Sequence, residues 1–143
     1  MAHPVLRIDW NEYPNLADNI WQAQTMGHPV VLTYVGPDPE ASKANRRDAM
    51  HYERDGAEYR IPRVLSRDEY PFACTLEGGG ASWVGHIPAR ENSAQGGLIS
   101  ALLRKHGVRP GDGKRLRFVV KVIHHPSGPV VPKVGRTAAA RRR

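Results

Sequence analysis

Apolar and polar residues alternate most regularly near the end of the chain, in "KRLRFVVKVI" (residues 114–123). Leu116, Phe118, Val120 and Val122 fall on one side of an extended backbone, with Arg115, Arg117 and Lys121 among the others. The segment predicts a half-exposed strand with a basic outer face. "VVLTYV" (residues 30–35) is almost continuously apolar and predicts a buried strand, and "VLRIDW" (residues 5–10) has strand-forming composition. Between them "NLADNIWQAQTMG" has helical spacing: Leu16 with Ile20 and Ala17 with Trp21 form an apolar stripe. Asn15 is the expected cap, and Gly27 with Pro29 the stop. A second helix is predicted from Asp38, with Pro39 in its first position and Ala41, Ala44 and Ala49 facing inward. "AEYRIPRVL" follows as an extended approach broken by Pro62. A third helix is predicted over "NSAQGGLISALLRKHG", with Leu98, Ile99, Leu102 and Leu103 inward and Gly107 at its end. This order of elements predicts the α+β class: a small antiparallel sheet with helices packed on it.

Composition narrows this picture. The 143 residues fit one domain, expected over residues 1–123 and followed by a loosely ordered basic tail, 124–143. No apolar run approaches the ~18 residues of a membrane span, and the N-terminus lacks the pattern of a secretory signal. The formal charge is +7, but Lys133, Arg136, Arg141, Arg142 and Arg143 supply five of those charges in the tail, leaving 16 bases against 14 acids before it. The charge therefore predicts an adhesive tail more than a shaped basic face. Cys74 is the only cysteine, which excludes an intrachain disulfide and a cysteine-rich zinc site.

The chemistry gathers in "SRDEYPFACTLEGGGASWVGHIPARENSAQGG" (residues 66–97). Asp68 and Glu69 sit on an extended piece and so point to opposite faces. A Gly78-Gly79-Gly80 turn, a strand "ASWVGHI" and the start of a helix follow. An extended acid, a hairpin and a helix bearing Glu91 and Asn92 can bring hard oxygen ligands onto a Mg2+-type ion, with a neighbouring base to activate water. Each residue also has a plainer reading. Asp68 suits a turn or a salt bridge to Arg67 or Arg63, Glu69 a solvent-facing acid, and Glu77 a turn acid. Glu91 suits the positive end of a helix dipole and Asn92 a helix cap. Gln95 either bonds within this unit or faces solvent. Arg90, Arg104 and Lys105 suit phosphate contacts or a solvated helix face.

"DEYPFA", then "EGG", then "PARENSAQG" opening a helix resembles the NucA/NucB-type family of bacterial non-specific deoxyribonucleases. The likeness extends more weakly to residues 30–33 and 116–122. The family is similar to a reduced ββα-metal (His-Me finger) nuclease, in which an aspartate stands in place of the base histidine. The resemblance implies Asp68 as the base, with Glu69 and Glu91 completing the catalytic carboxylates. It implies Glu91, Asn92 and Glu77 as the metal-ligand set for Mg2+ or Mn2+. Arg90, Gln95, Arg104 and Lys105 are then the phosphate contacts. Secreted members carry a cysteine immediately before the aspartate and another shortly after, whereas here Arg67 precedes Asp68 and Cys74 has no mate. The broader class has a glutamate two turns beyond the metal asparagine, where this chain has Ser100.

The resulting expectation is a metal-dependent, largely sequence-non-specific DNA endonuclease, secreted or delivered into a target cell by analogy with the family. One variant is the toxin module of a larger protein, neutralised by an acidic immunity protein. A non-catalytic basic nucleic-acid-binding domain is the alternative outside the enzyme class. No membrane partner is expected.

Overall fold

The computed structural model describes residues 2–35, 65–79, 81–109 and 111–131. The predicted helix from Asp38, the extended segment up to residue 64 with Arg63, and the tail from residue 132 lie outside the described residues.

Seven elements follow one another: β1 (Val5–Asp9), α1 (Pro14–Thr25), β2 (Val31–Tyr34), β3 (Leu65–Tyr70), β4 (Trp83–Pro88), α2 (Ala89–Lys105) and β5 (Leu116–Ile123). The α+β class expected from the sequence is the class observed. The alternation in β5 works as read: Phe118, Val120 and Val122 are buried, while Arg117 and Lys121 are exposed. β5 is the central strand of a three-stranded sheet in the order β1-β5-β2. That sheet is mixed, since β2 pairs with β5 antiparallel while β1 pairs with it in parallel, Leu6 opposite Val120 and Ile8 opposite Val122. The partner across a ladder shares its face, so Leu6, Ile8, Leu32, Phe118, Val120 and Val122 form one apolar face.

β3 and β4 form a separate antiparallel pair running directly into α2, a ββα unit. α1 joins the two parts, touching β1 and β5 on one side and β3, β4 and α2 on the other. Leu16, Ala17 and Ile20 of the predicted stripe are buried in the core with Ala23 beside them, while Trp21 is only half-buried. Two polar residues share that buried side, Asn19 and Gln24. The Gln24 amide donates to the Val120 carbonyl (3.0 Å) and to the Tyr70 hydroxyl (2.9 Å), tying the central strand to the end of β3. The Tyr70 hydroxyl in turn donates to the Pro29 carbonyl (2.7 Å).

Helix ends depart from the sequence reading. α1 starts at Pro14 with Tyr13 in the cap position, so Asn15 lies inside the first turn instead of capping it. α2 starts at Ala89 with Pro88 in the cap position, which moves Asn92 inside the helix as well. The stretch after β5 also departs from the expected loose order as far as Val131. His124 meets Asp9 (2.9 Å), His125 meets Asp18 (2.8 Å) and stacks on Trp21 with ring centroids 4.4 Å apart, and the Trp21 indole donates to the Gly128 carbonyl (2.9 Å). No helix among the described residues is long and apolar enough to cross a membrane.

Candidate active site

Asp68 is built into the ββα unit by strand alternation. On β3, Asp68 and Tyr70 are buried, while Arg67 and Glu69 turn to the other face. Directly across the hairpin from Asp68 is Gly85. A Cβ at Gly85 would collide with the Asn19 side chain, so the bare backbone there is what lets α1 approach. The Asp68 carboxylate then accepts two amide hydrogen bonds: Asn19 Nδ2 donates to Oδ2 (2.7 Å) and Gln95 Nε2 donates to Oδ1 (2.7 Å). Asn19 comes from α1 and Gln95 from α2, so three separate elements converge on one carboxylate.

The electrostatics of Asp68 are dominated by burial, which penalises the charged form. The Asn19 hydrogen bond opposes that effect, the charge of Glu69 adds to it, and the Gln95 hydrogen bond opposes it again. The outcome is a carboxyl raised from its ordinary value of 3.8 to about 7.

Asp68 forms part of the wall of a cleft of about 1120 Å³. Asn92, Gln95, Gly96, Ile99, Ser100, Leu103 and Arg104 line it from α2, at the three- and four-residue spacing of one helix face. Glu69 and Arg67 join from β3, Cys74 from the following turn and Arg109 from beyond α2. The cleft thus unites five of the residues expected from the sequence: Asp68, Glu69, Asn92, Gln95 and Arg104. Arg90 and Lys105 do not line it, each being about 100° around the helix from a neighbour that does or that is buried. Gly96 and Gly97 serve no close backbone approach among the described residues, since a Cβ at either would meet nothing within 4 Å.

Two carboxylates expected in the metal site have other tasks. Glu91 is fully buried, and its oxygens accept from the Asn15 backbone N–H (3.0 Å), the Asn15 side-chain amide (2.7 Å) and the Leu16 backbone N–H (2.9 Å). It caps α1 from α2, satisfying first-turn donors that Tyr13 leaves open. Glu77 accepts from the Thr33 backbone N–H (2.8 Å) and hydroxyl (3.1 Å), fastening the turn after β3 to the edge of β2. Neither residue lines the cleft, so the expected set Glu77, Glu91 and Asn92 does not come together. Among the described residues no three His, Cys, Asp or Glu side chains are grouped to hold a metal ion. What the cleft offers is Asn92 and Ser100, both hard oxygen donors. That donor chemistry fits a hard ion of the Mg2+ or Mn2+ type that keeps most of its water.

Asn19, Arg67 and Arg109 escaped sequence reasoning. Asn19 left one signal, a polar side chain between Leu16 and Ile20 on the apolar face of α1. Arg109 left none, because it follows the glycine that ends the helix.

The deoxyribonuclease NucA/NucB family model matches residues 20–117, from within α1 to the start of β5 and more than half of the chain. No curated protein matches the chain. With the ββα unit, the buried aspartate and the arginine-bearing cleft all inside the matched region, the chain belongs to the NucA/NucB deoxyribonuclease family.

Proposed function

We propose that this deoxyribonuclease is a divalent-metal-dependent endonuclease that hydrolyses the DNA backbone with little regard to sequence. The observation that carries the reading is Asp68: a carboxyl at the cleft wall, held by two amides and raised to about 7. An ordinary aspartate is a weak base at neutral pH, whereas one raised to about 7 is matched to taking a proton there. In this reading Asp68 takes the proton from a water in the cleft, that water's oxygen bonds to the phosphorus, and the P–O bond to one deoxyribose oxygen breaks, the leaving oxygen taking a proton from solvent. Glu69 contributes through its negative charge, which disfavours the charged form of its neighbour and so raises the proton affinity of Asp68. Arg104 and Arg109 hold the phosphate being cut, with Arg67 at the same cleft. Asn92 would hold the cation, which when bound supplies polarisation of the phosphoryl group and charge for the leaving oxygen. Guanidinium contacts to phosphate position a backbone without reading bases, which is why little sequence preference is expected.

The test is plasmid cleavage by the wild type beside Asp68→Ala, with Mg2+ or Mn2+ and with EDTA. The reading expects nicking and linearisation by the wild type that chelation abolishes, and a loss on the order of 10²- to 10⁴-fold in the variant. Plasmid that is retarded but never cut would instead support a non-catalytic binding domain.

The second reading, a toxin module, is favoured by Arg67 and the lone Cys74, both at the cleft. A chain without disulfides keeps its fold in a reducing compartment. Co-purification with a small acidic protein that blocks cleavage supports that role, and cleavage unaffected by any co-expressed neighbour counts against it.

A further inference from the structure

Asn19 carries an inference of its own. It lies on the apolar side of α1 and is 7 % exposed, a place where an amide is costly unless hydrogen-bonded. Both ends of its side chain are satisfied, and both by the ββα unit. Nδ2 donates to Asp68 Oδ2 (2.7 Å), and Oδ1 accepts from the Trp83 indole N–H (3.0 Å). An indole nitrogen can only donate, so Trp83 dictates that the amide oxygen faces it and the amide nitrogen faces Asp68. Gln95 is not locked this way, since its Oε1 has no hydrogen-bond partner among the described residues.

We propose that Asn19 is a positioning residue for the hydrolysis: held in one orientation by Trp83 and admitted by the bare backbone of Gly85, it fixes the rotation of the Asp68 carboxylate at the cleft wall. It lies 49 positions from Asp68 in sequence and one residue before the stretch matched by the family model. The inference rests on the reading of Asp68 as the base. α1 and α2 present amides to that carboxylate, β4 presents Gly85, and Glu69 on its own strand is the charge that acts on it. Without Asn19 the carboxylate keeps one hydrogen bond, loses its fixed orientation and takes up a proton more readily.

The experiment compares wild type, Asn19→Leu, Trp83→Phe and Asp68→Asn by steady-state cleavage across pH 6–9, by carbon-13 NMR titration of the Asp68 carboxyl and by thermal melting. Asn19→Leu keeps the volume and removes the bonds, and is expected to lower kcat on the order of 10- to 100-fold with KM nearly unchanged. The acid limb of its rate profile and the Asp68 titration should both move to higher pH, by about half a unit to one unit. Trp83→Phe removes only the N–H that locks the amide and should move both in the same direction by less, which keeps the test decisive if Asn19→Leu does not fold. Variants that lose melting temperature while the limb, the titration and the division between kcat and KM stay put overturn the inference. An active Asp68→Asn protein overturns the base reading itself. An inactive Asp68→Asn beside unshifted Asn19 and Trp83 variants overturns the Asn19 inference alone.

Discussion

At Asp68 two demands compete, because an aspartate buried deeply enough to be a useful base near neutrality is also a charge the fold must carry. Its pKa is raised from 3.8 to about 7, so its contribution to stability is fully present below the unfolded value of 3.8 and is lost as pH rises through about 7. The shift corresponds to about 4 kcal/mol across that window, an upper figure before local relaxation. Asp68→Asn should therefore abolish cleavage while gaining stability relative to the wild type as pH rises. Thermal melting at pH 5 and pH 8.5 checks this, with the variant's advantage expected only at the higher value. Asp68 was legible because it sits in a motif of unusual residues. Asn19 was not, since one polar residue within an amphipathic stripe resembles a solvent-facing position until its partners are seen on β3 and β4. Glu91 was legible as an acid at a helix start, but it caps another helix at Asn15, 76 positions away, and nothing in the local sequence announces that.

Elements were easier to read than their ends. The strands around residues 5, 31, 83 and 116 and the helices from residues 14 and 89 all form close to where periodicity placed them. Both helices begin earlier than their expected asparagine caps, because proline at or beside the start sets the backbone without needing a side-chain cap. The parallel pairing of β1 with β5 was illegible, as strand composition says nothing of direction for partners over a hundred residues apart. At this scale Glu91 gives a prediction that separates capping from ligation. Glu91→Gln weakens acceptance from the first turn of α1 and should cost about 1–3 kcal/mol, read as a lower denaturation midpoint. Apparent affinity for Mn2+, titrated through activity, should stay within a few-fold of wild type. A large loss of metal affinity with an unchanged midpoint would return Glu91 to the metal site. Gly85→Ala should be more damaging, since its methyl group meets the Asn19 side chain, and its melting temperature should fall well below that of Glu91→Gln.

For the molecule as a whole, the proposed function divides the work between the tail's charge and the cleft. Five of the seven net positive charges lie beyond residue 131, while Arg67, Arg104 and Arg109 stand at the cleft itself. Removing residues 132–143 should weaken DNA binding in low salt and flatten its dependence on salt concentration, by up to about 0.9 in the logarithmic slope for each phosphate no longer neutralised. Single-turnover cleavage of bound DNA should change little, and fluorescence anisotropy across a salt series beside a rapid-quench rate checks both halves. α1 packs against both the sheet and the ββα unit, and from it Asn19 reaches Asp68, which Gln95 meets from α2. The most direct test is the pH dependence of kcat/KM for plasmid cleavage at saturating Mg2+. The account predicts a rise of tenfold per pH unit below a bend near pH 7, with Asp68→Asn reduced at least 100-fold above the bend. A wild-type rate that is flat from pH 5.5 to 8.5, or an Asp68→Asn protein within tenfold of the wild type above pH 7, would contradict the account.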